Sequence, residues 1–132
     1  MKEVYEYLKK CGTFYIATAQ GDQPRVRPFG AVNIFEDKLY LITGKVKDFS
    51  KQLSANPNME LSGMIGDEGT WIRVAATLVN DDRLEAKQSM LDAYPMLNDR
   101  YKVDDDNIQV LYLKDATATI ASFAGEPKVI KF

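Results

Sequence analysis

The residues best suited to chemistry gather where an alternating run, Leu39-Tyr40-Leu41-Ile42-Thr43, passes through Gly44-Lys45-Val46-Lys47 into Asp48-Phe49-Ser50-Lys51-Gln52-Leu53. Alternation marks the first part as a strand, and Phe49 and Leu53, four apart, share one face of a helix. Thr43, Lys45, Lys47, Ser50 and Lys51 therefore meet at a helix start, where the first amides lack intrahelical partners. Free N–H groups, ammonium charges and hydroxyls together suit an anion, above all a phosphate. The competing reading is a solvated basic rim.

Two more cations precede this junction. If residues 25–31 form a strand, the period of two puts Arg25, Arg27 and Phe29 on a single face. A guanidinium suits phosphate because its planar fork donates two parallel hydrogen bonds. The alternative is surface pairing with carboxylates such as Asp22 or Glu36. Pro28 and Gly30 mark an irregular or edge position where a backbone or ligand comes close.

Other chemistries are pruned by what the chain lacks. It has no histidine, which removes Ser-His-Asp and Cys-His catalysis, His-ligated zinc and haem with a proximal histidine. Cys11 is the single cysteine and reads as an inert thiol rather than a nucleophile. Redox or group-transfer chemistry thus requires a bound organic cofactor. Neither G-x-G-x-x-G nor G-x-x-x-x-G-K-[ST] occurs. The run Asp104-Asp105-Asp106 lacks the glycine and distal glutamate of a calcium loop and reads as solvated loop, so no metal site is expected.

Seventeen Lys and Arg against 19 Asp and Glu give a net charge of −2, which offers no general attraction to nucleic acid or anionic membranes. No apolar run approaches the length of a membrane span, and the first residues lack a signal-peptide core. A cytoplasmic protein with one domain, residues 1–132, is expected.

The elements that must position these residues are short. Residues 3–10 suit an amphipathic helix ended near Gly12, and residues 13–19 a strand followed by a turn at Gly21-Asp22-Gln23-Pro24. The extended run 25–35 is the hairpin partner expected for residues 38–43. Strands are expected at 59–66 and 70–79, the second with Ile72, Val74, Ala76 and Leu78 facing the core. Trp71 reads as packing, with a site wall or subunit contact as the alternative. A helix over 82–94, with Asp82 as its cap, leads to two further strands at 108–114 and 117–123 and a packed tail at 129–132. Hairpin-like connections favour a mainly β, mostly antiparallel barrel with peripheral helices.

Pro24-Arg25-Val26-Arg27-Pro28-Phe29, Leu39-Tyr40-Leu41-Ile42-Thr43, Ser50-Lys51-Gln52-Leu53 and Asn56-Pro57 follow one another in an order that resembles the pyridoxamine 5′-phosphate oxidase-like family. Trp71-Ile72-Arg73-Val74 and the ending Ala118-Thr119-Ile120-Ala121-Ser122-Phe123-Ala124-Gly125-Glu126-Pro127 extend the likeness over nearly the whole chain. The resemblance implies a six- to seven-stranded antiparallel FMN-binding split barrel of Greek-key type, and a homodimer with FMN sites at the subunit interface. Arg27 and Lys51 match the phosphate-contacting positions, supported by Arg25, Lys45 and Ser50. Val26, Pro28 and Phe29 would lie along the flavin, Thr43 would touch its ring or ribityl chain, and Trp71 would close the pocket from the partner. The chain ends at Phe132 without the arginine- and histidine-bearing C-terminal segment of pyridoxamine phosphate oxidases proper, so that substrate is not implied. The implied function is an FMN-dependent oxidoreductase acting on an unidentified small molecule, with no catalytic side chain named. The alternatives are a non-catalytic flavin-binding or sensing dimer, a deazaflavin-dependent reductase, and a barrel kept only as an interaction module.

Overall fold

A computed structural model describes residues 1–132. Helix α1 (Lys2–Cys11) buries Val4 and Leu8 and stops at Gly12, whose φ of 73° costs glycine little. Strands β1 (Phe14–Gln20), β2 (Gln23–Phe29), β3 (Asn33–Phe35) and β4 (Lys38–Gly44) lead to helix α2 (Asp48–Ala55). Strands β5 (Asn58–Met64) and β6 (Thr70–Asn80) precede helix α3 (Leu84–Ala93); a 3-10 turn (Pro95–Asp99) then leads to β7 (Ile108–Ser122) and β8 (Lys128–Lys131).

Every ladder is antiparallel, and the sheet order is β2-β1-β5-β6-β7-β4-β3, with β8 added to β7. Placing β4 beside β7 rather than β5 is the Greek-key arrangement. The two ends of this order, β2 and β3, follow one another in the chain, separated by residues 30–32 alone. That link holds the ends of the sheet together without a ladder between them, which makes the barrel split. Pro24 and Pro28 lie in β2, an edge strand, where a missing N–H is tolerated.

Alternation divides the apolar residues between two cores. Phe14, Ile16, Leu39, Leu41, Leu61, Ile72 and Val74 fill the barrel. Tyr40, Ile42, Ile108 and Val110 point the other way and are covered by Ala86, Met90 and Leu91 of α3. Strand β4 is thus buried on both faces, from Leu39 through Gly44.

Several expectations are redrawn. The run 25–35 is two strands at opposite ends of the sheet: β3 pairs with β4, whereas β2 pairs with β1, Arg27 opposite Ile16. Residues 108–123 are not two strands with a turn but the single long β7. It carries a bulge where Ala75 faces Thr117 and Thr77 faces Lys114, and Asp115 adopts a positive φ of 52°. The tail becomes β8, so the sheet has eight strands rather than six or seven. Asp82 accepts from Asn80 and does not cap α3. Asp105 is more than solvated loop, because it accepts the amides of Lys102, Asn107 and Ile108, and these bonds lower its pKa.

One polar cluster ties the second core together. Asp81 accepts from the Tyr40 hydroxyl at 2.6 Å and from Arg83 Nη2 at 2.9 Å, and Arg83 also reaches Glu36 at 2.9 Å. The Arg83 guanidinium holds the Asp81 carboxyl well below the usual range against the opposing effect of burial, and burial first pushes Tyr40 up to about 12. A depressed carboxyl stabilises the fold above its unfolded pKa of about 3.9, and that contribution drains away as pH falls below it. Asp81→Asn should lose about 1–3 kcal/mol in urea denaturation at neutral pH and show a shallower decline towards acid.

Candidate functional site

The turn from β4 to α2 is pinned from outside: Lys45 N donates to Asn107 O at 2.7 Å and Val46 N to Asn107 Oδ1 at 3.1 Å. Lys47 is the N-cap of α2 and supplies no side-chain cap, which leaves the first-turn amides open to solvent or ligand. Facing this helix start is Arg27. Its Nη1 donates to Thr18 Oγ1 at 2.7 Å and Ile16 O at 3.1 Å, and its Nη2 to Gln52 Oε1 at 2.7 Å. The guanidinium lies 4.9 Å from the Phe49 ring centroid. Gln52 Oε1 also accepts from Thr18 at 2.5 Å, so β1, β2 and α2 are joined through one amide oxygen. All these acceptors are neutral. Burial lowers the Arg27 pKa and the Asp48 carboxylate opposes the shift; the guanidinium stays charged and is hydrogen-bonded to no anion.

A cavity of about 200 Å³ opens between the ends of β2 and β4 and the 3-10 turn. Phe29, Ala31, Ile42 and Leu97 give it apolar walls, and Thr43, Arg27, Lys47, Arg100 and Tyr101 its polar groups. It runs into an exposed groove of about 570 Å³ that shares Arg27, Lys47 and Phe49 and adds Arg25, Val26 and Asp48. The result is a trough with cations at one end and apolar walls at the other. Thr43 continues the inward set of Leu39 and Leu41 and is 3% exposed; its hydroxyl makes no hydrogen bond within the chain and is not sealed from solvent.

Of the residues picked from the sequence, Arg27, Pro28, Phe29 and Thr43 line the cavity, and Arg25 and Val26 the adjoining groove. Arg25 is steadied by Gln20 at 2.9 Å. Lys51 borders a neighbouring cleft of about 210 Å³, which shares Gln20, Asp48 and Gln52 with the groove. Ser50 is turned to the other side of α2, where its hydroxyl donates to Gln109 Oε1 at 2.5 Å. Lys45 is exposed and lines none of these spaces. Trp71 lies on the outer face of β6, against Phe123 with ring centroids 5.0 Å apart. The sequence sets Lys47 at the helix start, but the family resemblance does not single it out as a phosphate contact, and Gln52, Arg100 and Tyr101 go unmarked. Gln52 had a signal, since helical spacing sets it beside Phe49; the other two sit in a segment without periodicity.

The sequence model of one family, described as pyridoxamine 5′-phosphate oxidase, matches residues 1–118. The chain belongs to that family. The chain is similar to a NimC/NimA family protein from Clostridium acetobutylicum: 48% identity, TM-score 0.95, 100% of this chain and 92% of that one covered. A pyridoxamine 5′-phosphate oxidase-related, FMN-binding protein from Nostoc punctiforme has the same fold at 13% identity and TM-score 0.62, over 99% of this chain and 95% of that one. So does a heme-binding protein from Mycobacterium smegmatis at 13% identity and TM-score 0.68, over 95% of this chain and 57% of that one. No curated protein matches. No helix of this family member is long and apolar enough to cross a membrane.

The two buried threonines separate a structural hydroxyl from one left for a ligand. Thr18→Val should cost about 1–2 kcal/mol of unfolding free energy, because Arg27 and Gln52 lose a shared partner. Thr43→Val should change it by less than about 0.5 kcal/mol, as measured in urea.

Proposed function

We propose that this family member is a cytoplasmic FMN-dependent oxidoreductase that works as a homodimer, passing hydride or electrons between a reduced donor and a small molecule. The observation that carries this is the trough, which joins an uncapped helix start and unneutralised cations to an apolar slot. Arg25, Arg27 and Lys47 against Asp48 leave two positive charges in excess, which suits a phosphate dianion. The Nostoc punctiforme relative, described as FMN binding, supports the choice of cofactor.

FMN, when bound, supplies the redox couple that the side chains lack. Arg27, held by Thr18 and Gln52, would fix the phosphate without having to order itself on binding. Lys47 and the α2 amides would complete that end. Pro28 and Phe29 would cover the ring, and the free Thr43 hydroxyl would bond one of its polar atoms. No carboxylate or thiol is among the residues lining the cavity, so the chain binds, orients and excludes water. The same feature favours the second reading, a flavin-binding dimer without catalysis. Haem suits the chain less well, as there is no histidine to ligate it.

The partner in this proposal is a second copy. Tyr15, Val26, Met64, Trp71, Phe123 and Val129 face outward on adjoining strands, Phe123 with 93% of its surface exposed. This apolar face reaches Val26 and Pro28, where the trough lies open, so a subunit seated there would wall the site and bring its own Trp71 near. Glu60 and Arg73 on the same face allow reciprocal pairing across a two-fold axis.

The purified chain should carry flavin colour or quench added FMN fluorescence; a protein that does neither ends the proposal. Lys47→Gln should weaken FMN by about tenfold or more while leaving riboflavin unchanged, and equal loss for both would refute the phosphate assignment. Anaerobic reduction by NADH or NADPH separates the enzyme from the sensor. Sedimentation should give the mass of two chains, and Met64→Glu should shift it towards one.

A further inference from the structure

We infer that Arg100 and Tyr101 form the specificity site of the cavity, receiving the carboxylate of a small organic acid with an apolar body. This deepens the flavin reading and rests on it for what the acid reacts with. The cavity carries Arg27, Lys47 and Arg100 and no carboxylate at all, in a chain whose net charge is −2. Arg27 and Lys47 also line the groove that contains Arg25 and so belong to the phosphate end; Arg100 lines the cavity only.

Neither group is occupied by the chain itself. Ion pairs engage Arg83 and Lys128, and no hydrogen bond involves the Arg100 guanidinium. No carboxylate, Asp99 and Asp104 to Asp106 included, forms an ion pair with it, and Asp105 commits its oxygens to the amides of Lys102, Asn107 and Ile108. Tyr101 is 7% exposed and lines the same cavity; its hydroxyl has no partner in the chain and is not sealed from solvent, so it is free to donate to a ligand.

The backbone that presents the pair is fixed. Arg100 N and Tyr101 N both donate to Leu97 O, at 3.0 and 2.9 Å, and the Tyr94 hydroxyl bridges Val32 N and O at 3.1 and 3.0 Å. One guanidinium fork with one hydroxyl matches a monoanionic carboxylate, whereas a phosphate dianion calls for more donors. Ala31, Ile42 and Leu97 lie in the same walls and suit an apolar body.

Benzoate and its neutral isostere benzamide are the probes, titrated into the full chain by saturation-transfer NMR with and without FMN. Wild type loaded with FMN should bind benzoate at least about tenfold more tightly than benzamide. Arg100→Gln should abolish that preference, Tyr101→Phe should reduce it, and FMN affinity should stay within about twofold in both. Equal binding of the two probes, or a preference that survives Arg100→Gln, would overturn the inference. A matching loss of FMN would do so too, by assigning Arg100 to the cofactor. Should FMN not bind at all, the proposed function fails, and the flavin-free titration decides the Arg100 assignment alone: preference keeps it and parity overturns it.

Discussion

Burial of β4 on both faces is the constraint that organises this molecule. A strand flanked by water on one side can alternate, but Leu39 through Gly44 must satisfy the barrel interior and α3 at once. Leu39 and Leu41 do so inward, Tyr40 and Ile42 outward. Where the strand runs out, both cores end together. Thr43, the start of α2 and the 3-10 turn meet at that point, and the cavity is the space they leave. The site is therefore a product of where the two cores stop, rather than a loop attached to a finished barrel.

Two arginines show how the same side chain is made structural or left available. Arg83 is surrounded by Asp81 and Glu36, so its charge is spent on holding the β3–β4 turn, the end of β6 and the start of α3. Arg27 has as many bonds, but to a hydroxyl, an amide oxygen and backbone carbonyls. Neutral acceptors fix its direction and leave its field intact, with Asp48 the one nearby moderator. A chain that is acidic overall thereby keeps a locally positive trough.

The strands with plain alternation, β1, β5 and β6, were legible in the sequence because one face of each is buried and one is not. Residues 25–35 were legible as extended but not as two strands, since periodicity carries no information about which neighbour an extended segment pairs with. The bulge at Asp115 looked like a turn because its local chemistry is that of a turn; only the ladder to β6 shows the strand continuing. At the site, the family resemblance placed Arg27, Pro28, Phe29 and Thr43 where the cavity forms. It could not tell Lys47 from Lys45, because the direction of each lysine depends on how Asn107 grips the turn. Arg100 and Tyr101 come from a segment whose position is set by Tyr94, far from the pattern that marked the rest.

The link at residues 30–32 is the seam of the barrel, and Gly30 and Ala31 are also part of the cavity wall. Everywhere else along the sheet path, widening the barrel would break ladder hydrogen bonds. Along the seam no ladder has to break, so mechanical compliance is concentrated there. Slot width and barrel closure are then one coordinate: whatever fills the slot also sets how tightly the sheet is rolled.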